Sequence, residues 1–303
     1  AAVFALGPAF SQQWFLRERS TERVGWGWNR LAAPTASADW VNAHQPTGRL
    51  WCDFNTTSNV LWLIRPQREV PVVSNSWAMP PAFMREQLDY SFGVSGYRAF
   101  DRMIDRKNVQ IIVLRVDAPE SRLAKNLVQD PNWAVVDLAA RYATFLRSDG
   151  PNAQLAADSA ITPETLDAPR HAAKLAKLDP ADHMGVYHGG LLLYHMGWYA
   201  PAAGVIAEAM AIQPDYHRGW LMHGKCIGLA GTQRLLNGEA EGRDDLLAAR
   251  RSFRKALELA GGDYPEAREN LQYVNRQLDD LKRGRILYPK GILSPPKDGL
   301  PSR

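Results

Sequence analysis

Between residues 36 and 150, apolar positions alternate between short continuous runs and helical spacing. ASADWVNAHQ predicts a helix capped near Ser37, and RLWCDF a short apolar strand. TTSNVLWLIRP predicts a helix opened by Thr56 or Thr57 and stopped by Pro66. VPVVS predicts a second strand. After a proline-containing stretch, GYRAFDRMIDRK sets Tyr97, Phe100, Met103 and Ile104 on one helical face. NVQIIVLRV is the strongest β-branched run in the chain and predicts a strand ending at Asp117. SRLAKNLVQD predicts a helix, and WAVVDL and YATFLR, separated by two alanines, a closing hairpin. Strands alternating with helices predict a three-layer α/β sandwich with a mostly parallel sheet.

From His183 the strand signals stop and a helical-hairpin pattern takes over. The first copy is HMGVYHGGLLLYHMGWYAPAAGVIAEAMAIQP, in which Gly190, Ala202 and Ala209 are small enough for two helices to approach closely. The second copy restarts with Trp220 and Gly224 where Val186 and Gly190 stood, and closes with Ala249, Phe253 and Ala256 matching Ala202, Ile206 and Ala209. On these residues the segment resembles the tetratricopeptide repeat, whose period is about 34 residues. The insertion GTQRLLNGEAEGRDDLL predicts either longer helices or an exposed contact loop. The fold class expected is therefore α/β plus all-α. A helical segment over 1–35 precedes an α/β domain over 36–150, a linker over 151–182, a tetratricopeptide-like domain over 183–285 and a disordered tail over 286–303.

Composition narrows this little. The chain is 46% hydrophobic and 22% charged, which suits a folded protein. A net charge of +4 implies no strong field for nucleic acid. The basic clusters around Arg250–Lys255 and Lys282–Arg285 are interleaved with acids and read as solvated helix faces. Cys52 and Cys226 fall in different expected domains and read as small buried residues, not as a bridge or nucleophiles. The opening AAVFALGPAF is too short to span a bilayer, which takes about 20 residues. It reads as the end of a membrane helix whose upstream part is missing, or as a buried helix.

The run ADWVNAHQPTGRLWCDFNTTSNVLWLIRPQREVPVVSNSW, then VQIIVLRV, then the hairpin DPNWAVVDLAARYATFLR carries a second resemblance. In order and texture it is similar to the region that follows the last transmembrane helix in bacterial polytopic membrane proteins related to GT-C-type glycosyltransferases. Many of these carry tetratricopeptide repeats behind that region. Related sequences commonly have Gly-Gly where this chain has Thr57-Ser58-Asn59, and Asp-x-Arg where it has Ser74-Asn75-Ser76. The resemblance implies membrane association through upstream segments and an extracytoplasmic location. The family's catalytic carboxylate lies between early transmembrane helices, so no catalytic residue is assigned to this chain.

Two candidate surfaces follow. Ligands of parallel sheets bind beyond the carboxyl ends of the strands, where this chain offers Asp53 and Asn55, then Ser74 and Asn75, then Asp117. Such residues are also ordinary caps and turns. Carried over from the repeat family by spacing, a peptide-binding groove would include Tyr187, Leu191, Tyr194, Arg218, Leu221 and Lys225, suited to an extended peptide with an acidic group. The histidines lack metal-ligand spacing, so no metal is expected, and no motif calls for a cofactor. The first functional reading is a non-catalytic interaction region of a membrane-anchored, glycosyltransferase-like protein that binds protein through its repeats. The alternative is a free scaffold whose α/β domain holds a small polar ligand. Neither reading calls for nucleic acid.

Overall fold

A computed structural model describes residues 33–53, 56–64, 80–91, 96–116, 121–178 and 183–284. The described chain divides into two compact units, one of residues 33–166 and 173–197, the other of residues 167–172 and 198–284.

The first unit is mixed α/β. Helix α1 (Thr35–His44) leads to strand β1 (Arg49–Cys52), and α2 (Thr57–Leu63) follows. Helices α3 (Pro81–Ser91) and α4 (Tyr97–Arg106) precede β2 (Val109–Arg115) and α5 (Ser121–Gln129). The hairpin β3 (Trp133–Ala139) and β4 (Tyr142–Arg147) comes next, then α6 (Ala153–Ser159) and α7 (Ala168–Leu178). Strand order is β1-β2-β4-β3. β1 runs parallel to β2, with Trp51 opposite Ile112, while β2–β4 and β3–β4 are antiparallel. Among the described residues the sheet is thus mixed, where the alternation of elements led us to expect mostly parallel pairing. The returning hairpin accounts for the difference, because β4 inserts next to β2. The expected strand VPVVS lies outside the described residues.

Alternation along β1 sends its side chains to the two faces of the sheet. Leu50 and Cys52 are buried with Val41 of α1, Val60 of α2, Ile111 and Val113 of β2, and Ala156 of α6. Trp51 lies on the opposite face, edge-on to Phe100 of α4 at 5.0 Å, and its indole N–H donates to Gln87 of α3 at 3.3 Å. From Val109 to Leu114 every residue of β2 is buried, as a strand covered on both faces requires. The segment expected as a linker contains α6 and α7. Lys174 of α7 donates to the Asp137 carboxylate of β3 at 3.1 Å and to the Leu138 carbonyl at 3.2 Å. Helix α8 (Met184–His195) belongs to this unit. Its Gly189 leaves room for the Leu175 side chain of α7, whose nearest carbon would stand 2.0 Å from an added Cβ.

The second unit is helical: α9 (Tyr199–Ile212), α10 (His217–Leu236), α11 (Gly242–Leu259) and α12 (Pro265–Lys282). Each packs against the next. The two helices of the first expected hairpin copy, α8 and α9, fall in different units. The second copy, α10 and α11, packs as a pair, with Gly224 against the Phe253 ring. The insertion has become helix, extending α10 to 20 residues and α11 to 18. Gly238, at φ +84°, takes the left-handed conformation that lets the chain leave α10 and turn back within a few residues. Asp244 and Asp245 then occupy the first turn of α11, where helix-terminal N–H groups favour negative charge. Pro265 and Glu266 open α12 in the same sense. The core of this unit joins Leu221, Leu246, Phe253, Val274 and Leu278.

Candidate functional site

Asp53 follows β1 with no exposed surface. One carboxylate oxygen accepts the Thr56 N–H at 3.1 Å, and the other accepts the Arg115 N–H at 3.1 Å. The Thr57 hydroxyl donates to the Asp53 carbonyl at 2.9 Å, and the Cys52 thiol donates to that hydroxyl at 3.3 Å. Burial raises the Asp53 pKa above the usual carboxylate range, and the same hydrogen bonds oppose the shift. Both oxygens therefore join the β1–α2 turn to β2, a structural duty. Asn55, Asn75 and Asp117, with Ser74, lie outside the described residues. Cys52 and Cys226 are both buried, and desolvation pushes each thiol well up, which disfavours the reactive thiolate.

The residues proposed for a peptide groove belong to two different units. On α8 in the first unit, Tyr187 is buried and Leu191 and Tyr194 are half-buried. On α10 in the second unit, Arg218 is exposed, whereas Leu221 belongs to the core. Lys225 is 2% exposed, and its ammonium donates to the Glu266 carboxylate of α12. Leu221 packs with residues of α11 and α12, and Lys225 is held by Glu266 of α12, so both side chains face inward.

What spacing along α10 missed is the polar seam with which α12 meets it. Asn270 donates to the Glu266 carbonyl at 2.8 Å. Gln277 donates to the Thr232 hydroxyl and to Tyr273, each at 3.3 Å, and Thr232 donates to the Gly228 carbonyl at 2.8 Å. The sequence signal was present: Glu266, Asn270 and Gln277 recur at roughly helical spacing on one side of α12. At the same end, His217 and Tyr264 meet edge-on at 5.3 Å. Burial pushes the Tyr264 phenol up to about 12, an effect the nearby Arg218 partly offsets.

A cavity of about 290 Å³ opens between α9 and α10. Ala200, Ala203, Gly204 and Ala207 of α9, His223, Ile227, Ala230 and Arg234 of α10, and Asp245 of α11 line it. The Ser252 hydroxyl lies 2.8 Å from His223 Nδ1 and 3.2 Å from the Ala248 carbonyl, so its one hydrogen serves either the ring or the carbonyl. Burial lowers His223 to about 4, which keeps the ring neutral near pH 7. Arg234 donates to Asp245 at 2.8 Å and lies 3.8 Å from Glu239.

Among the described residues, no cluster of three His, Cys, Asp or Glu side chains could hold a metal ion. Within the same residues no helix is long and apolar enough to cross a membrane. Fold and sites together define a mixed α/β unit followed by successive packed helices. No family model matches the chain, and no curated protein matches it.

Proposed function

We propose that this chain is a non-catalytic interaction and assembly region, and that its helices bind protein in the manner of tetratricopeptide repeats. The observation that carries the reading is the α10–α11 pair. It repeats the small-residue positions of the preceding copy, and Gly224 receives the Phe253 ring at the crossing. The run α9 to α12, each helix on the next, is consistent with a short solenoid whose last helix is a cap. On this reading the α/β unit is a three-layer sandwich, since helices cover both faces of β1 and β2. The parent protein is membrane-anchored and glycosyltransferase-like, with this region outside the cytoplasm. That part rests on the resemblance over residues 20–150, and reading the gene upstream of Ala1 tests it. Several apolar segments of about 20 residues each are expected there.

Partner binding has its own test. Lys225 is neutralised by Glu266, so Arg218 is the exposed cation of the proposed groove on α10. A displayed peptide library panned on the full chain should enrich extended peptides carrying an acidic group. Arg218→Glu should weaken the selected peptides by about tenfold, roughly 1.4 kcal/mol. Enrichment of no peptide, or peptides indifferent to Arg218→Glu, would remove the reading. The alternative ligand site at the strand ends is not favoured, because both oxygens of Asp53 are engaged by backbone N–H groups.

A further inference from the structure

The α9–α10 cavity has a carboxylate in its lining that is only partly engaged. Asp245 accepts from Arg234 through Oδ2, and among the described residues its Oδ1 has no hydrogen-bond partner. His223 is engaged through Nδ1 by Ser252. The cation present, Arg234, already serves Asp245 and faces Glu239. Around the α10–α11 turn, Glu239, Glu241, Asp244 and Asp245 outnumber Arg234 and Arg243, so this end carries negative charge in excess. Between the polar groups the walls are methyl groups and the Ile227 side chain. A ligand that matches this surface brings hydrogen-bond donors, positive charge and an apolar body. A carboxylate or phosphate would be repelled by the Asp245 carboxylate in the lining, and the guanidinium beside it, Arg234, is already paired with that carboxylate.

We propose that this cavity is a binding site for a small aliphatic amine, with the ammonium on Asp245 and the alkyl stem along Ala200, Ala203, Ala207 and Ile227. The site is separate from the proposed peptide groove and does not depend on it. At about 290 Å³ it lies at the small end of ligand cavities, which suits a chain of several carbons and not a nucleotide.

Titration of the full chain with hexylamine near pH 7, followed by two-dimensional NMR, tests this. Hexanol and hexanoate serve as probes of equal chain length. Saturable hexylamine shifts at α9 and α10 are expected, with binding at least about tenfold tighter than for either comparison probe, a gap of roughly 1.4 kcal/mol. Asp245→Asn should weaken the amine about tenfold while leaving the weak hexanol binding unchanged. Because Asp245 also pairs with Arg234, that variant could be impaired in folding. Ala207→Leu therefore serves as a second variant, filling the wall without altering any charge, and should abolish amine binding with the helical signal intact. Equal or tighter binding of hexanol or hexanoate would overturn the proposal. Amine binding unaffected by Ala207→Leu would do the same.

Discussion

Lys225 and Glu266 form an unequal pair. Lys225 is 2% exposed, whereas the Glu266 side chain keeps 41% of its surface. Removing the carboxylate strands an ammonium away from water, and breaking a buried pair in this way costs about 3 kcal/mol or more. Removing the lysine leaves a carboxylate that water can still reach. Glu266→Ala should therefore lower the stability of the helical unit by about 3 kcal/mol, while Lys225→Met should lie within about 1 kcal/mol of the parent. Urea unfolding of both variants checks the ordering. Equal losses would mean that the lysine reaches water by another path. The same pair explains why a residue-by-residue reading of α10 offered Lys225 to a partner. On an isolated helix it is exposed, and α12 makes it internal.

At the scale of elements, the decisive contacts are close approaches between helices. A Cβ on Gly224 would meet three atoms of the Phe253 ring at 2.6–2.9 Å, and a ring can shift slightly. A Cβ on Gly242 would meet the Gly231 carbonyl oxygen at 2.4 Å, and a backbone atom in mid-helix cannot. Gly242→Ala should cost more than Gly224→Ala, on the order of 3 kcal/mol against about 1 kcal/mol. In each case the better helix propensity of alanine offsets part of the overpacking. Thermal unfolding of the two variants gives the comparison, and adding Phe253→Leu should recover stability only in Gly224→Ala. The repeat pattern made Gly224 legible as a packing glycine. It did not mark Gly231 or Gly242, because they belong to the insertion, where no second copy exists for comparison.

At the scale of the molecule, the division into two units predicts separable responses. Glu266→Ala should lower one calorimetric transition and leave that of the α/β unit in place. Acid should act on the helical unit through His223. Its folded pKa, about 4, is depressed below the unfolded value of 6.5 by burial. The stabilisation is therefore complete above about pH 6.5 and is lost as pH falls toward 4, by up to roughly 3 kcal/mol. His223→Asn, whose amide can either donate to Ser252 or accept from it, should flatten that part of the stability–pH curve. An unchanged slope between pH 6.5 and 4 would show that the ring is hydrated in the folded state.

The assignments of α1, β1, α2, α4, β2, α5, β3 and β4 were legible because each depends on local apolar spacing, and the β-branched run of β2 needed no tertiary information. Helices α3 and α6 were not, since alanine and polar residues dominate them, and α7, although amphipathic, lies in the stretch that reads as a linker. The insertion could be read as either loop or helix, and packing of α10 on α11 decided for helix. Pairing direction in the sheet was also beyond local reading: the hairpin β3–β4 was predicted, but its placement beside β2 is a contact between residues far apart in the chain. The sequence by itself determined the strands and helices that carry strong local apolar spacing, and where the small residues recur. Tertiary structure decided which helix faces remain open, because burial depends on the neighbour that arrives. Here α11 and α12 turned Leu221 and Lys225 inward and left Arg218 at the surface.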